Sequence, residues 1–290
     1  MIRGFAALLL SALPLVARPA EREDCFPLEG LPPDLREWSE SLLLRALDNE
    51  ALYTFVSDLK PMSSFIEFRI PLDDLDLSEI EKTRRALQAW RCGDHFYADV
   101  RHFREPHGDR LYAEGAIWNR PLLERLVRER AAFFSKFGLT PSAHPMEVVM
   151  AVEYDETVAR YQGYGYLYGY PDYAVEYFAE AETSRERTEE RAERDFFSVP
   201  TYARPEGAYA WAVPKGHDEN GADREILAKA RAVLEEYRRR RERYIGEGKP
   251  GVVELLRDWY DDGSGRCDPG RVRASGPRGE MSRNAGEQLR

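Results

Sequence analysis

The order of hydrophobic and polar positions divides this chain into helical and extended stretches. Leu35, Trp38, Leu42, Leu43, Ala46 and Leu47 recur every three or four residues, which puts them on one side of a helix opening at Asp34. A second short helical stretch covers Asn49 to Leu59 and ends before Lys60-Pro61. Phe65 to Ile70 predicts a strand stopped by Pro71, and Ser78 with Glu81 forms a capping-box signature for a helix reaching Trp90. Two strand patterns, His95 to Phe103 and Arg110 to Trp118, flank the turn-forming E-P-H-G-D and predict a hairpin. Asn119 then caps an amphipathic helix with Pro121 in its first turn and Leu122, Leu126, Ala132, Phe133 and Phe137 on its buried side; Gly138 ends it.

His144-Pro145 opens a further helix that the pattern carries to about Arg160. Beyond Pro171, Ala174, Val175, Phe178 and Ala181 mark another helix, which passes into the charged S-R-E-R-T-E-E-R-A-E-R-D. Phe196 to Pro214 reads as irregular to extended. Asp223 to Ile245 is a long amphipathic helix, and Val252 to Tyr260 a short last one. From Gly263 the chain turns to Gly, Ser, Pro and Arg with almost no large apolar side chain, so 263–290 is expected to be a disordered tail. The expectation is a single α+β domain over 34–262, with amphipathic helices packed on a small mixed or antiparallel sheet. A polar lead-in, 21–33, precedes it.

Between these helices lies the least ordinary segment. Seven of the sixteen tyrosines fall between Tyr161 and Tyr177, most alternating with glycine. An extended run would put Tyr164, Tyr166, Tyr168 and Tyr170 on one face and Gly163, Gly165, Leu167 and Gly169 on the other. Such a wall suits a sugar, peptide or aromatic ligand, because each ring offers an apolar face and a hydrogen-bonding tip. The same pattern also fits an aromatic layer beneath a covering helix, with glycines permitting close backbone approach.

Composition narrows the partners. A net charge of −10 and a pI near 5.2 argue against nucleic acid as the partner. The four-arginine run Arg238 to Arg241 is flanked by Glu235, Glu236 and Glu242, which makes it a solvated helix face. At the start, Arg3 precedes the apolar Phe5 to Val16, the layout of a signal peptide over 1–20, although neither Ala17 nor Ala20 completes an A-x-A site. Export to a periplasmic or extracellular space follows, and no later segment predicts a membrane span in the mature protein. In an oxidising compartment Cys25 and Cys92 would make a reasonable bridge, with Cys267 left over.

Catalytic and metal signatures are absent from the sequence. His95, His102 and His107 lack a metal-ligand spacing, and no cofactor motif occurs. Ser57-x-x-Lys60 matches a penicillin-recognising pattern whose companion elements are missing. His144 precedes a helix that carries Glu147, Glu153, Asp155 and Glu156 toward the tyrosine run.

Two segments, L-D-N-E-A-L-Y-T-F-V-S-D-L-K-P-M-S-S and G-Y-L-Y-G-Y-P-D-Y-A-V-E-Y-F, resemble uncharacterised exported proteins of environmental bacteria. The resemblance carries no activity and no site residue. The functional expectation is therefore a non-catalytic protein binding a small molecule, glycan or envelope protein through Tyr164, Tyr166, Tyr168, Tyr170 and His144. The alternatives are a hydrolase drawing its acid or base from Glu153, Asp155 or His144, and a structural or interaction protein.

Overall fold

The computed structural model describes residues 19–271 and is an α+β protein whose sheets are small and antiparallel. After a two-residue strand β1 (Ala20–Glu21) come helices α1 (Pro33–Asp48) and α2 (Ala51–Val56), then strand β2 (Met62–Pro71) and helix α3 (Ser78–Leu87). Strands β3 (Phe96–His102) and β4 (Arg110–Asn119) form the hairpin read from the sequence, and β4 lies in the middle of a β2-β4-β3 sheet. Asn119 caps α4 (Arg120–Glu129) by accepting from the Leu122 amide at 3.3 Å. The short α5 (Ala131–Phe134) follows, then α6 (Pro145–Glu153), α7 (Thr157–Leu167) and α8 (Asp172–Thr188). A second hairpin, β5 (Arg194–Val199) and β6 (Tyr209–Pro214), precedes the long α9 (Gly221–Tyr244), then α10 (Val252–Tyr260) and β7 (Arg266–Cys267). Among the described residues no helix is long and apolar enough to cross a membrane.

The three-stranded sheet separates two hydrophobic clusters by the two-residue period of its strands. Phe96 and Val100 of β3, with Ala113 and Ile117 of β4, face the larger cluster built with α1, α2, α9 and α10. Tyr97 of β3 and Ala116 and Trp118 of β4 face the smaller one, built with α4 to α7. A bulge at Phe65 keeps β2 in step: Ser64 pairs with Ala116, and Ile66 already pairs with Gly115. Ser64, Arg101 and Glu114 thereby share the face turned toward the tyrosine helix.

Three predicted elements change. Tyr161, Tyr164 and Tyr166 lie in helix α7, which Tyr168 caps; Tyr170 follows it, and Tyr173 and Tyr177 lie in α8, so the run is not a strand. Its glycines mimic a two-residue alternation, yet they are where the helix meets its neighbours: a Cβ on Gly163 would lie 2.6 Å from Val152 Cγ1 on α6, and one on Gly165 2.7 Å from Val175 Cγ2 on α8. The close packing of α7 between α6 and α8 offsets the helical penalty of glycine, about 1 kcal/mol each. The helix predicted from His144 to Arg160 breaks at Tyr154, and the one predicted to Phe137 breaks at Arg130.

The lead-in is part of the core, with Cys25, Phe26 and Leu28 all buried. The first part of the predicted tail is structured as well, since β7 pairs with β1 and buries Cys267. Ala20, assigned above to the signal segment, sits in β1 opposite Cys267. The remainder of the tail and of the predicted signal peptide lies outside the described residues.

Candidate functional site

The polar centre of the site begins with a cross-strand pair. In the β3–β4 register Arg101 stands opposite Glu114, so both side chains rise from the same face. Arg101 Nη2 donates to Glu114 Oε2, whose same oxygen accepts from Ser64 Oγ at 2.6 Å. From above, α7 lowers Tyr164 and Tyr168, one helical turn apart, with rings stacked at 5.9 Å. Arg101 donates to the Tyr164 hydroxyl at 2.8 Å and to the Tyr168 hydroxyl at 3.1 Å. Tyr164 in turn donates to Glu153 Oε2 at the end of α6, and the Arg104 amide donates to Glu153 Oε1 at 3.0 Å.

These groups are largely out of water. Arg101 is 2% exposed, and among the described residues its Nε has no hydrogen-bond partner. Burial opposes its charge, but Tyr168, Glu114 and Tyr164 outweigh that effect and hold the guanidinium more firmly protonated than usual. Burial likewise pushes the Tyr164 phenol well above its ordinary value, against the pull of Arg101, and pushes Tyr168 up to about 12. Both phenols are therefore neutral donors at physiological pH. A second ion pair, with its lysine buried and its glutamate half-buried, lies nearby. Lys60 Nζ donates to Glu50 Oε2 at 2.7 Å and sits 4.1 Å from the centre of the Tyr209 ring. Burial lowers the Lys60 value despite Glu50.

Two cavities open on this centre and adjoin along Phe103, Tyr161 and Tyr164. The first, about 370 Å³, has Arg101, Glu114, Tyr164 and Tyr168 at its polar end. Its walls are apolar: Val175 and Phe178 from α8, Phe196 from β5 and Trp211 from β6. Phe196 is 66% exposed and forms a rim. The second, about 430 Å³, is more polar and is lined by Glu67, Glu153 and Arg160 among others.

Of the residues expected to bind, Tyr164, Tyr168 and Tyr170 line the first cavity. Tyr166 does not. A helix rotates it away from Tyr164, and its ring meets Phe133 edge-on at 5.4 Å beneath Arg130. His144 is in the lining of neither cavity; its Nδ1 caps α6 by accepting from Met146, and its ring abuts Tyr97. It lies at the opposite end of α6 from Glu153, about 13 Å away along the axis. Asp155 is tied to Lys136 at 2.7 Å. The structure joins Cys25 and Cys92 in a disulfide, away from both cavities.

Arg101, Glu114, Ser64, Phe196 and Trp211 were not singled out as binding residues from the sequence. A signal existed for the first two: once the E-P-H-G-D turn fixes the hairpin register, an arginine and a glutamate of alternating strands fall opposite each other. The chain matches no family model, and no curated protein or solved structure shows significant similarity to it.

Proposed function

We propose that this chain is an exported, non-catalytic binding protein holding a small ligand in the cavity between α7, α8 and the β5–β6 hairpin. The ligand has a flat apolar or aromatic body and a hydrogen-bond-accepting oxygen at one end. The observation that carries this reading is a largely apolar chamber of about 370 Å³ that ends on the Arg101–Glu114–Tyr168 cluster. A concave apolar pocket with a few convergent polar groups at one end is the usual form of a small-molecule site. Phe178, Phe196 and Trp211 offer faces for the body. Export is supported by the signal-like N-terminus and by the Cys25–Cys92 disulfide, which persists in oxidising compartments.

Binding is favoured over hydrolysis by the state of the acids. Both Glu153 oxygens already accept hydrogen bonds, from Tyr164 and from the Arg104 amide, while Asp155 and His144 are engaged elsewhere. Calorimetric titration with 3-phenylpropanoate as the probe, beside cellobiose as a neutral sugar, tests the reading. Saturable binding of the aromatic carboxylate is expected, weakened about tenfold by Phe196→Ala, the loss of roughly 1.4 kcal/mol of ring contact. Binding of the sugar alone, or aromatic binding indifferent to Phe196→Ala, would put the ligand elsewhere and refute it.

A further inference from the structure

All three cysteines of the chain converge, although they come from distant segments. Cys25 follows β1, Cys92 precedes β3, and Cys267 lies in β7. Each is at most 1% exposed, and their sulfurs lie within 4.8 Å of one another. Cys25 and Cys92 are bonded, and Cys267 is a free thiol. Arg257 holds the arrangement together from the backbone side. Its Nε donates to the Cys25 carbonyl at 2.9 Å and its Nη2 to the Phe26 carbonyl at 3.2 Å, while the Cys267 thiol donates to the Arg257 carbonyl at 3.6 Å. A single residue therefore fixes the free thiol against one half of the disulfide.

We propose that Cys25, Cys92 and Cys267 form an internal thiol–disulfide exchange centre that relocates the chain's covalent tether. Cys267, as thiolate, attacks Cys25 Sγ; the Cys267–Cys25 bond forms and the Cys25–Cys92 bond breaks. Its electron pair leaves on Cys92 Sγ, which takes up the proton released by Cys267. One disulfide and one thiol stand on each side, so no oxidant or reductant is consumed. Attack on Cys92 gives the corresponding product with Cys25 released.

Exchange into the C-terminal segment converts the β1–β7 contact, where Ala20 pairs with Cys267, into a covalent closure. It also frees the link between the N-terminal segment and the loop before β3. Burial keeps dissolved thiols away from the three sulfurs, so proximity favours the internal attack. A thiolate-bound metal fits less well. It needs the disulfide reduced and gathers three negative charges beside Arg22 and Arg257, which Glu254 and Glu29 already neutralise.

The groups facing Cys267 are Arg22 and Arg257, which favour the thiolate, and Asp261 and Glu254, which oppose it; burial pushes the thiol up to about 11. Exchange is therefore slow near neutrality and accelerates about tenfold per pH unit in mildly alkaline buffer.

Acid quenching, then alkylation in denaturant and non-reducing peptide mapping of the full chain, reads the outcome. At neutral pH the label is expected on Cys267. After alkaline incubation with the fold intact by circular dichroism, a fraction of chains should carry it on Cys92 or Cys25, with Cys267 in a disulfide. Label confined to Cys267 under every folded condition overturns the proposal, as does a purified chain with three free thiols and a bound metal. Cys92→Ser supplies an independent arm: refolded from denaturant in a glutathione redox buffer, it should fold with a Cys25–Cys267 disulfide, and a folded variant with both thiols free also overturns it.

Discussion

Arg101 on β3 and Glu114 on β4 are direct cross-strand partners, and their ion pair lies beneath the stacked rings of Tyr164 and Tyr168. Removing one member leaves the other charged in a site with little water. Arg101→Met is expected to cost about 3–5 kcal/mol of stability, and adding Glu114→Leu should recover roughly half or more of it. Urea denaturation of both variants checks this. A double variant no more stable than the single one would mean that the pair is not the buried unit described.

Gly163 and Val152 set the distance between α7 and α6. A Cβ at Gly163 would stand 2.6 and 2.8 Å from the two Val152 methyls and 3.2 Å from the Phe133 ring. Alanine normally gains about 1 kcal/mol over glycine within a helix. Here the overlap outweighs that gain, and Gly163→Ala should be destabilising by about 1–2 kcal/mol net. Val152→Ala introduced beside it should make the second change less costly than it is alone. Thermal unfolding of the four-member cycle measures the coupling, and simple additivity would count against the contact.

Gly169 is less forgiving. Its φ is +72°, and a Cβ there would meet the Leu59 carbonyl oxygen at 2.0 Å, a backbone atom that cannot rotate away. The left-handed conformation alone costs an alanine about 1 kcal/mol or more. Gly169→Ala is expected to lose at least about 3 kcal/mol, more than Gly163→Ala. The same carbonyl region carries the Tyr209 hydroxyl bond to the Gly169 oxygen, so Tyr209 should become more exposed as well. Denaturant midpoints and tyrosine solvent perturbation test both.

Alkali should unfold the protein through its phenols. Burial raises Tyr164, Tyr170 and Tyr209 far above the ordinary phenol value, and Tyr168 to about 12. In the unfolded chain each ionises near about 10. A raised folded value means that the associated stability is complete below about pH 10 and lost as pH climbs through the folded values. Lys60 runs the other way, since its lowered value makes stability rise with pH, but only until the unfolded lysine also loses its proton near about 10.4. Far-ultraviolet circular dichroism and phenolate absorbance should therefore change together above that point. Ionisation of every tyrosine near the ordinary value with the helices intact would contradict it.

What the sequence determined by itself is the set of elements whose signals are local. The Asn119 cap, the E-P-H-G-D hairpin, the long helix after Asp223 and the α+β class follow from residues within a few positions of one another, as does the helix at Ser78, although Leu77 and not Ser78 is its N-cap and the expected capping box is not formed. The tyrosine run was misread because alternating Gly and Tyr satisfies a strand period, whereas the energy that favours the helix comes from Val152 and Val175 on other helices. For the same reason Tyr164 and Tyr168 came together with Arg101, while Tyr166 turned to Phe133. The cavity, the buried Arg101 cluster at its end and the meeting of three distant cysteines were decided only by tertiary packing. Hydrogen bonds and excluded volume act between atoms that are close in space, and nothing in the local spacing of residues encodes that closeness.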